Sequence, residues 1–204
     1  MDHKTLPTFY ARGPLPCRHS YFVSAGRPHP VTGGRLDSAN VIAIVAGVAG
    51  TGKTTIGTQL ARQLGWRFAD ADKFHSQANV AKMRAGIPLT DEDRAPWLHA
   101  ISAWMDGLIA AGQSGVVTCS ALKCSYREEL LSGRPAVTMF FLEADRDVLV
   151  RRLTSRHGHF FHEPLLDSQL QTLEPPQPGE RVIALDADDD VDHIVAEIVA
   201  RLEV

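Results

Sequence analysis

The sequence predicts an α/β domain built on a five-stranded parallel sheet, and three observations carry that expectation. Five short apolar runs alternate along the chain with segments whose apolar residues recur at helical spacing, the pattern of strand–helix–strand crossovers. The first run, Val41-Ile42-Ala43-Ile44-Val45-Ala46, is apolar without interruption, as in a strand covered on both faces. It leads into Gly47-Val48-Ala49-Gly50-Thr51-Gly52-Lys53-Thr54, which matches GxxxxGK[ST] in full.

The elements follow in order. Ile56, Leu60 and Leu64 form a helical stripe that ends near Gly65, a residue suited to a left-handed helix end. Arg67 to Ala69 reads as a second strand running into Asp70-Ala71-Asp72. A helix through Ala78 to Arg84 is stopped by Gly86 and Pro88. Thr90 with Asp93 three residues on predicts a capping box, with Asp91 and Glu92 on the positive end of the helix. Its buried stripe is Trp97, Ile101, Trp104, Met105 and Leu108. Val116 to Cys119 is the third strand, followed by a helix around Tyr126 to Leu131. Val137 to Leu142 is the fourth strand, with a helix from Asp147 to Arg156. A short helix from Leu166 to Leu173 is stopped by Pro175 and Pro176. Val182 to Leu185 is the fifth strand, and Ile194, Val195, Ile198, Val199 and Leu202 mark the last helix.

Composition narrows the function classes. The chain has 204 residues, 44% hydrophobic and 22% charged, a globular balance that excludes fibrous repeats and wholesale disorder. Net charge is −3, so nothing global points to nucleic acid or an anionic membrane as a partner. No apolar run approaches the length of a membrane span. Three cysteines without a CxxC pair suit free thiols in a reducing compartment, hence a cytoplasmic location. Charge is uneven, with five basic residues against two acidic ones in residues 1–38. That segment holds Pro7, Pro14, Pro16, Pro28 and Pro30, which would break the amphipathic helix of a transit peptide. It is therefore read as a disordered extension, and residues 39–204 as the domain that carries the chemistry.

The glycine-rich string is a phosphate loop. Its glycines let backbone N–H groups turn inward around phosphate oxygens at a helix N-terminus. The expected nucleotide site is Gly47, Val48, Ala49, Gly50, Thr51, Gly52, Lys53, Thr54 and Thr55. Lys53 would contact the β- and γ-phosphates of ATP or GTP, and the Thr54 hydroxyl would ligate Mg²⁺. An enzyme of this kind also needs a carboxylate for the metal and a base for the acceptor. Asp70 and Asp72 stand at the C-terminal end of the second strand, where ligands bind in open α/β sheets. On an extended chain, their i, i+2 spacing puts both carboxylates on one side. On spacing alone the pair reads equally well as a turn cap. Asp186 also follows an apolar strand, but the run Asp186 to Asp190 reads more simply as a solvated turn before the last helix. No NKxD base-reading motif is present, which argues against a Ras-like switch.

With these residues in view, the chain resembles the gluconokinases, shikimate-kinase-like P-loop kinases of small molecules. The resemblance rests on the phosphate loop and Asp70-Ala71-Asp72-Lys73-Phe74-His75, with Asn79 to Met83 and Gly86 to Leu98 following. Further on, it rests on Cys119-Ser120-Ala121-Leu122-Lys123 with Tyr126-Arg127, on Arg156 to Phe161, and on Ser168-Gln169 through Leu173-Glu174-Pro175. It covers residues 41–204 and departs at Ala49 and Thr51, where serines are frequent in that family. Residues 1–38 have no counterpart.

The resemblance implies a three-layer α/β/α P-loop kinase with a small helical lid, frequently a homodimer. It implies ATP-dependent phosphorylation of D-gluconate on its terminal hydroxyl to 6-phospho-D-gluconate, with Mg²⁺. Asp72 is then the general base, Asp70 acts on Mg²⁺ through water, and Lys53 and Thr54 keep their loop roles. Arg152 and Arg156, four apart on one helix face, become lid groups that fold over the transferring phosphoryl group. Donors for the substrate carboxylate and polyol come from His75, Lys82, Arg94, Lys123 and Arg127. A kinase of another small hydroxy or sugar acid, and a catalytically silent nucleotide-dependent binding module, are the alternative readings. His157, His159 and His162 offer an HxHxxH spacing, which reads as part of a loop rather than as a zinc site.

Overall fold

The computed structural model of the chain describes residues 40–155 and 163–202. The extension at 1–38, Arg156, the three histidines at 157–162 and the segment expected to form the lid lie outside the described residues. Within them the order is β1 (Ile42–Gly47), α1 (Lys53–Leu64), β2 (Arg67–Asp70), a 3-10 turn (Ala71–Phe74), α2 (Gln77–Arg84), α3 (Asp91–Ala110), β3 (Gly115–Cys119), α4 (Cys124–Leu131), β4 (Val137–Glu143), α5 (Arg146–Thr154), α6 (Glu163–Thr172), β5 (Val182–Asp186) and α7 (Val191–Leu202).

All strand pairings are parallel, and the sheet order is β2-β3-β1-β4-β5. The central strand β1 is buried along its whole length. Alternation across the pleat divides its side chains between two layers. Ile42, Ile44 and Ala46 pack with Trp97, Leu98, Ile101 and Met105 of α3, Leu130 of α4 and Leu149 of α5. Ala43 and Val45 face the other way, onto Ile56 and Leu60 of α1 and Ile194, Val195 and Ile198 of α7. The result is the expected three-layer α/β/α arrangement with a five-stranded parallel sheet. Full burial of each Ile or Leu in these layers is worth about 1.5–3 kcal/mol.

Local signals explain the element ends. Gly65 ends α1 in the left-handed region at φ 68°, a conformation that costs glycine little. The capping box at α3 is present: Thr90 Oγ1 accepts from the Asp93 N–H at 3.2 Å, and Asp93 Oδ2 accepts from the Thr90 N–H at 3.0 Å. Helix α5 ends at Thr154, with Ser155 as its cap, earlier than the apolar spacing suggested. Cys119 is a buried free thiol, whereas Cys124 is disulfide-bonded. Among the described residues, no helix is long and apolar enough to cross a membrane.

Candidate active site

The site begins where β1 gives way to the phosphate loop. Gly47 has φ +142°, and a Cβ there would lie 2.7 Å from the Leu142 carbonyl oxygen on β4. A side chain at this position would force the two strands apart just where the loop leaves the sheet. Thr51 is buried, and its hydroxyl donates to the Val48 carbonyl at 2.9 Å, bracing the loop from inside. Lys53 Nζ donates to the same carbonyl at 2.9 Å. Ala49, Gly50, Gly52, Lys53 and Thr54 line the cavity. Gly47, Val48, Thr51 and Thr55 do not, so the predicted nucleotide site separates into residues that face a ligand and residues that shape the loop.

The two aspartates stand beside the loop. Asp70 ends β2 and caps the 3-10 turn: its Oδ1 accepts from the Asp72 N–H at 3.1 Å, and its Oδ2 accepts from the Thr54 hydroxyl at 3.2 Å. Both Asp70 and Asp72 line the cavity. Strand alternation does not reach Asp72, because the chain is not extended beyond Asp70. The Asp70 carboxylate folds the backbone into a turn, and this turn, rather than strand alternation, sets Asp72 on the cavity wall.

The acceptor side of the cavity includes His75 and Arg94, as expected. The His75 ring stacks on Trp97 at 4.7 Å between centroids, 6° from parallel, and Trp97 is anchored by its indole N–H to the Ala71 carbonyl at 2.7 Å. Burial pushes the His75 pKa below its ordinary value; nearby Asp72 opposes the shift and Arg94 reinforces it. The shift favours the neutral imidazole, whose buried Nδ1 has no hydrogen-bond partner among the described residues. Cys119 also lines the cavity, but burial raises its pKa to about 12, which keeps it an unreactive thiol.

Three predicted substrate donors are engaged elsewhere. Lys82 is paired with both carboxylate oxygens of Asp93 at 2.7 and 2.8 Å, tying α2 to the start of α3. Lys123 meets Asp91 at the same distances, and the Tyr126 hydroxyl donates to that carboxylate as well. Arg127 is 1% exposed. Its guanidinium binds Glu180 through Nε at 2.7 Å and Nη2 at 3.0 Å, and Nη1 donates to the carbonyls of Ala121, Leu122 and Glu174. None of the three lines the cavity. In this structure each of these charges has a carboxylate partner: Asp93, Asp91 and Glu180 respectively. Arg152 likewise stays off the cavity wall, donating to the Ala187 carbonyl at 2.8 Å, with Asp188 at 3.7 Å.

Residues without an assigned role complete the wall. Ser168, Gln169 and Thr172 of α6 line the cavity, with Met83, Ile87 and Leu89 forming an apolar stretch. The three α6 residues fall in the block from Ser168-Gln169 to Pro175, which carries resemblance but no assigned chemistry.

The arrangement can hold a nucleotide triphosphate on the loop and a polyol acid between Asp72, His75 and Arg94. The chain is similar to known small-molecule kinases. The sequence profile of the shikimate kinase family matches residues 49–202. A gluconokinase from Gluconobacter oxydans is 44% identical over 160 residues, spanning 78% of this chain and 90% of its own. The crystal structure of an unliganded sugar kinase from Janibacter sp. HTCC2649 is 44% identical, covers 81% of this chain and 95% of its own, and superposes with a TM-score of 0.76. A gluconokinase from Sinorhizobium meliloti 1021 is 40% identical over 81% of this chain and 92% of its own, at a TM-score of 0.72.

Proposed function

Since the chain belongs to the gluconokinase family, within the shikimate-kinase group of P-loop enzymes, we propose that it transfers the γ-phosphoryl group of ATP to the terminal hydroxyl of D-gluconate. The product is 6-phospho-D-gluconate. The observation that carries this reading is the placement of Asp72 on the same cavity wall system as Lys53, Thr54, His75 and Arg94. A general base, a phosphate-binding loop and a cationic acceptor wall share one cavity.

Each residue then has a task. The loop amides and Lys53 bind the phosphates. Asp72 accepts the proton of the attacking hydroxyl, within reach of a substrate held in the cavity. Arg94 supplies a planar fork suited to the gluconate carboxylate, and neutral His75 offers hydrogen bonds to the polyol. The oxygen donors of Thr54 and Asp70 suit a hard divalent ion, and we assign Mg²⁺ to them. When bound, that ion neutralises charge on the β- and γ-phosphates. Arg152, with Arg156 beyond it in sequence, is assigned to the transferring phosphoryl group, a role that requires Arg152 to release Ala187 and Asp188.

A homodimer and a cytoplasmic location, where ATP is supplied, complete the proposal, with residues 39–204 as the kinase domain and 1–38 as a dispensable extension. A coupled assay with ATP, Mg²⁺ and a panel of sugar acids tests it. Turnover should be greatest with D-gluconate and survive removal of residues 1–38. Faster turnover of another acid would shift the substrate assignment, and ATP binding without transfer to any acid would favour the silent binding module.

A further inference from the structure

Helix α6 has two faces with different work. Leu166 is buried in the core and Leu170 packs against it, which fixes the helix on one side. Ser168, Gln169 and Thr172 stand on the cavity side. The segment that follows is held tightly. The Glu174 N–H donates to the Leu122 carbonyl at 2.9 Å, its carboxylate accepts from the Cys124 N–H at 2.6 Å, and its carbonyl accepts from Arg127 at 2.8 Å. Buried Arg127 therefore braces the end of α6, and with it the side chains that α6 presents to the cavity.

Gln169 is the residue of that face joined to the phosphate loop. Its Oε1 accepts from the Ala49 N–H at 2.7 Å, across 120 residues of sequence. Only the carbonyl oxygen of the amide can accept from an N–H group, so this bond sets the amide's orientation. The Nε2 end is left with two N–H donors and makes no hydrogen bond to the described residues. It belongs to a side chain that lines the cavity shared with Asp72, His75 and Arg94.

We infer that Gln169 is a positioning residue that couples the phosphate loop to the acceptor: Oε1 fixes the loop at Ala49 while Nε2 donates to an oxygen of the polyol acid. The inference rests on the gluconate-kinase reading given above. It explains why a neutral amide, and not another cation, stands here. One amide both accepts from the loop and donates to a hydroxyl or carboxylate, which neither Lys nor Arg can do. An acceptor gripped by an arm attached to the loop is registered against the donor phosphate, the geometric requirement for in-line transfer.

The test uses the full chain with ATP, Mg²⁺ and D-gluconate. Gln169→Met keeps the length and helix propensity but loses both hydrogen bonds. KM for gluconate should rise tenfold or more, with KM for ATP within twofold and the melting temperature nearly unchanged. Gln169→Glu keeps an acceptor for Ala49 and loses the donor, so its KM for gluconate should rise at least as much. The Ala49 amide resonance in ¹⁵N-labelled protein should move in the Met variant, whether or not gluconate is the substrate. A normal gluconate KM in either folded variant, or a rise confined to ATP, overturns the donor role. An unmoved Ala49 resonance in the Met variant overturns the loop contact. Absence of gluconate turnover in the unaltered protein instead overturns the substrate reading and the donor role with it, leaving the loop contact to be judged by the resonance.

Discussion

The Thr54 hydroxyl donates to Asp70 Oδ2 at 3.2 Å, joining the first turn of α1 to the end of β2. Two oxygen donors are thereby held side by side at the mouth of the phosphate loop, where a hard cation would sit between nucleotide and protein. Asp70 also accepts from the Asp72 N–H, so one carboxylate serves both the proposed metal site and the turn that carries the proposed base.

Asp70→Asn keeps the shape of the side chain while removing its charge. The Mg²⁺ concentration needed for half-maximal rate should rise by about 10–100-fold, the usual effect of losing a group that supports a metal site. Titration of activity against Mg²⁺ at saturating ATP measures it. An unchanged requirement would remove Asp70 from the metal role.

Asp72→Asn should lower kcat by about 10²–10⁴-fold, the usual contribution of a positioned general base. Nucleotide affinity should stay near normal, since Asp72 stands on the acceptor side of the cavity. Titration with a fluorescent ATP analogue, alongside the rate, separates the two effects. A near-normal kcat would contradict the base assignment.

How much of this was legible beforehand differs from residue to residue. Lys53 and Thr54 were readable because their roles depend on spacing within eight residues between a strand and a helix. The five strands were readable for a similar reason, being local apolar runs. The pairings of Arg127, Lys82 and Lys123 were not, because a sequence shows a charge but not which other charge it meets. Their partners Glu180, Asp93 and Asp91 lie 53, 11 and 32 residues away. Asp72 lines the cavity for a reason the strand pleat does not give, since a side-chain cap on the 3-10 turn sets its position. Gln169 went unassigned because an amide carries no charge signal, and its contact with Ala49 exists only once α6 meets the loop.

Arg127→Met should destabilise the fold by about 3–5 kcal/mol, the cost of removing the buried partner of an ion pair and leaving the part-buried Glu180 carboxylate without its cation. Chemical denaturation at pH 7 measures the loss, which should be partly recovered in the double variant Arg127→Met with Glu180→Leu. A stable single variant with a raised KM for gluconate would instead restore Arg127 to the substrate site.

His75 should make stability depend on pH in a defined sense. Burial lowers its pKa below 6.5 in the folded protein, so the unfolded chain binds this proton more readily. Its contribution is present above about 6.5 and is lost as pH falls through that unfolded-state value toward the folded one. Melting temperatures between pH 7.5 and 5.5 should therefore fall less steeply in His75→Gln than in the unaltered protein. Equal slopes would show that the imidazole is not desolvated.

Identification of the product tests the central claim most directly. After incubation with ATP, Mg²⁺ and D-gluconate, proton–phosphorus correlation spectroscopy should show one new phosphomonoester coupled to the two protons on carbon 6, formed in equal amount with ADP. A phosphate on another carbon, or ADP formed without any phosphorylated gluconate, would contradict the account.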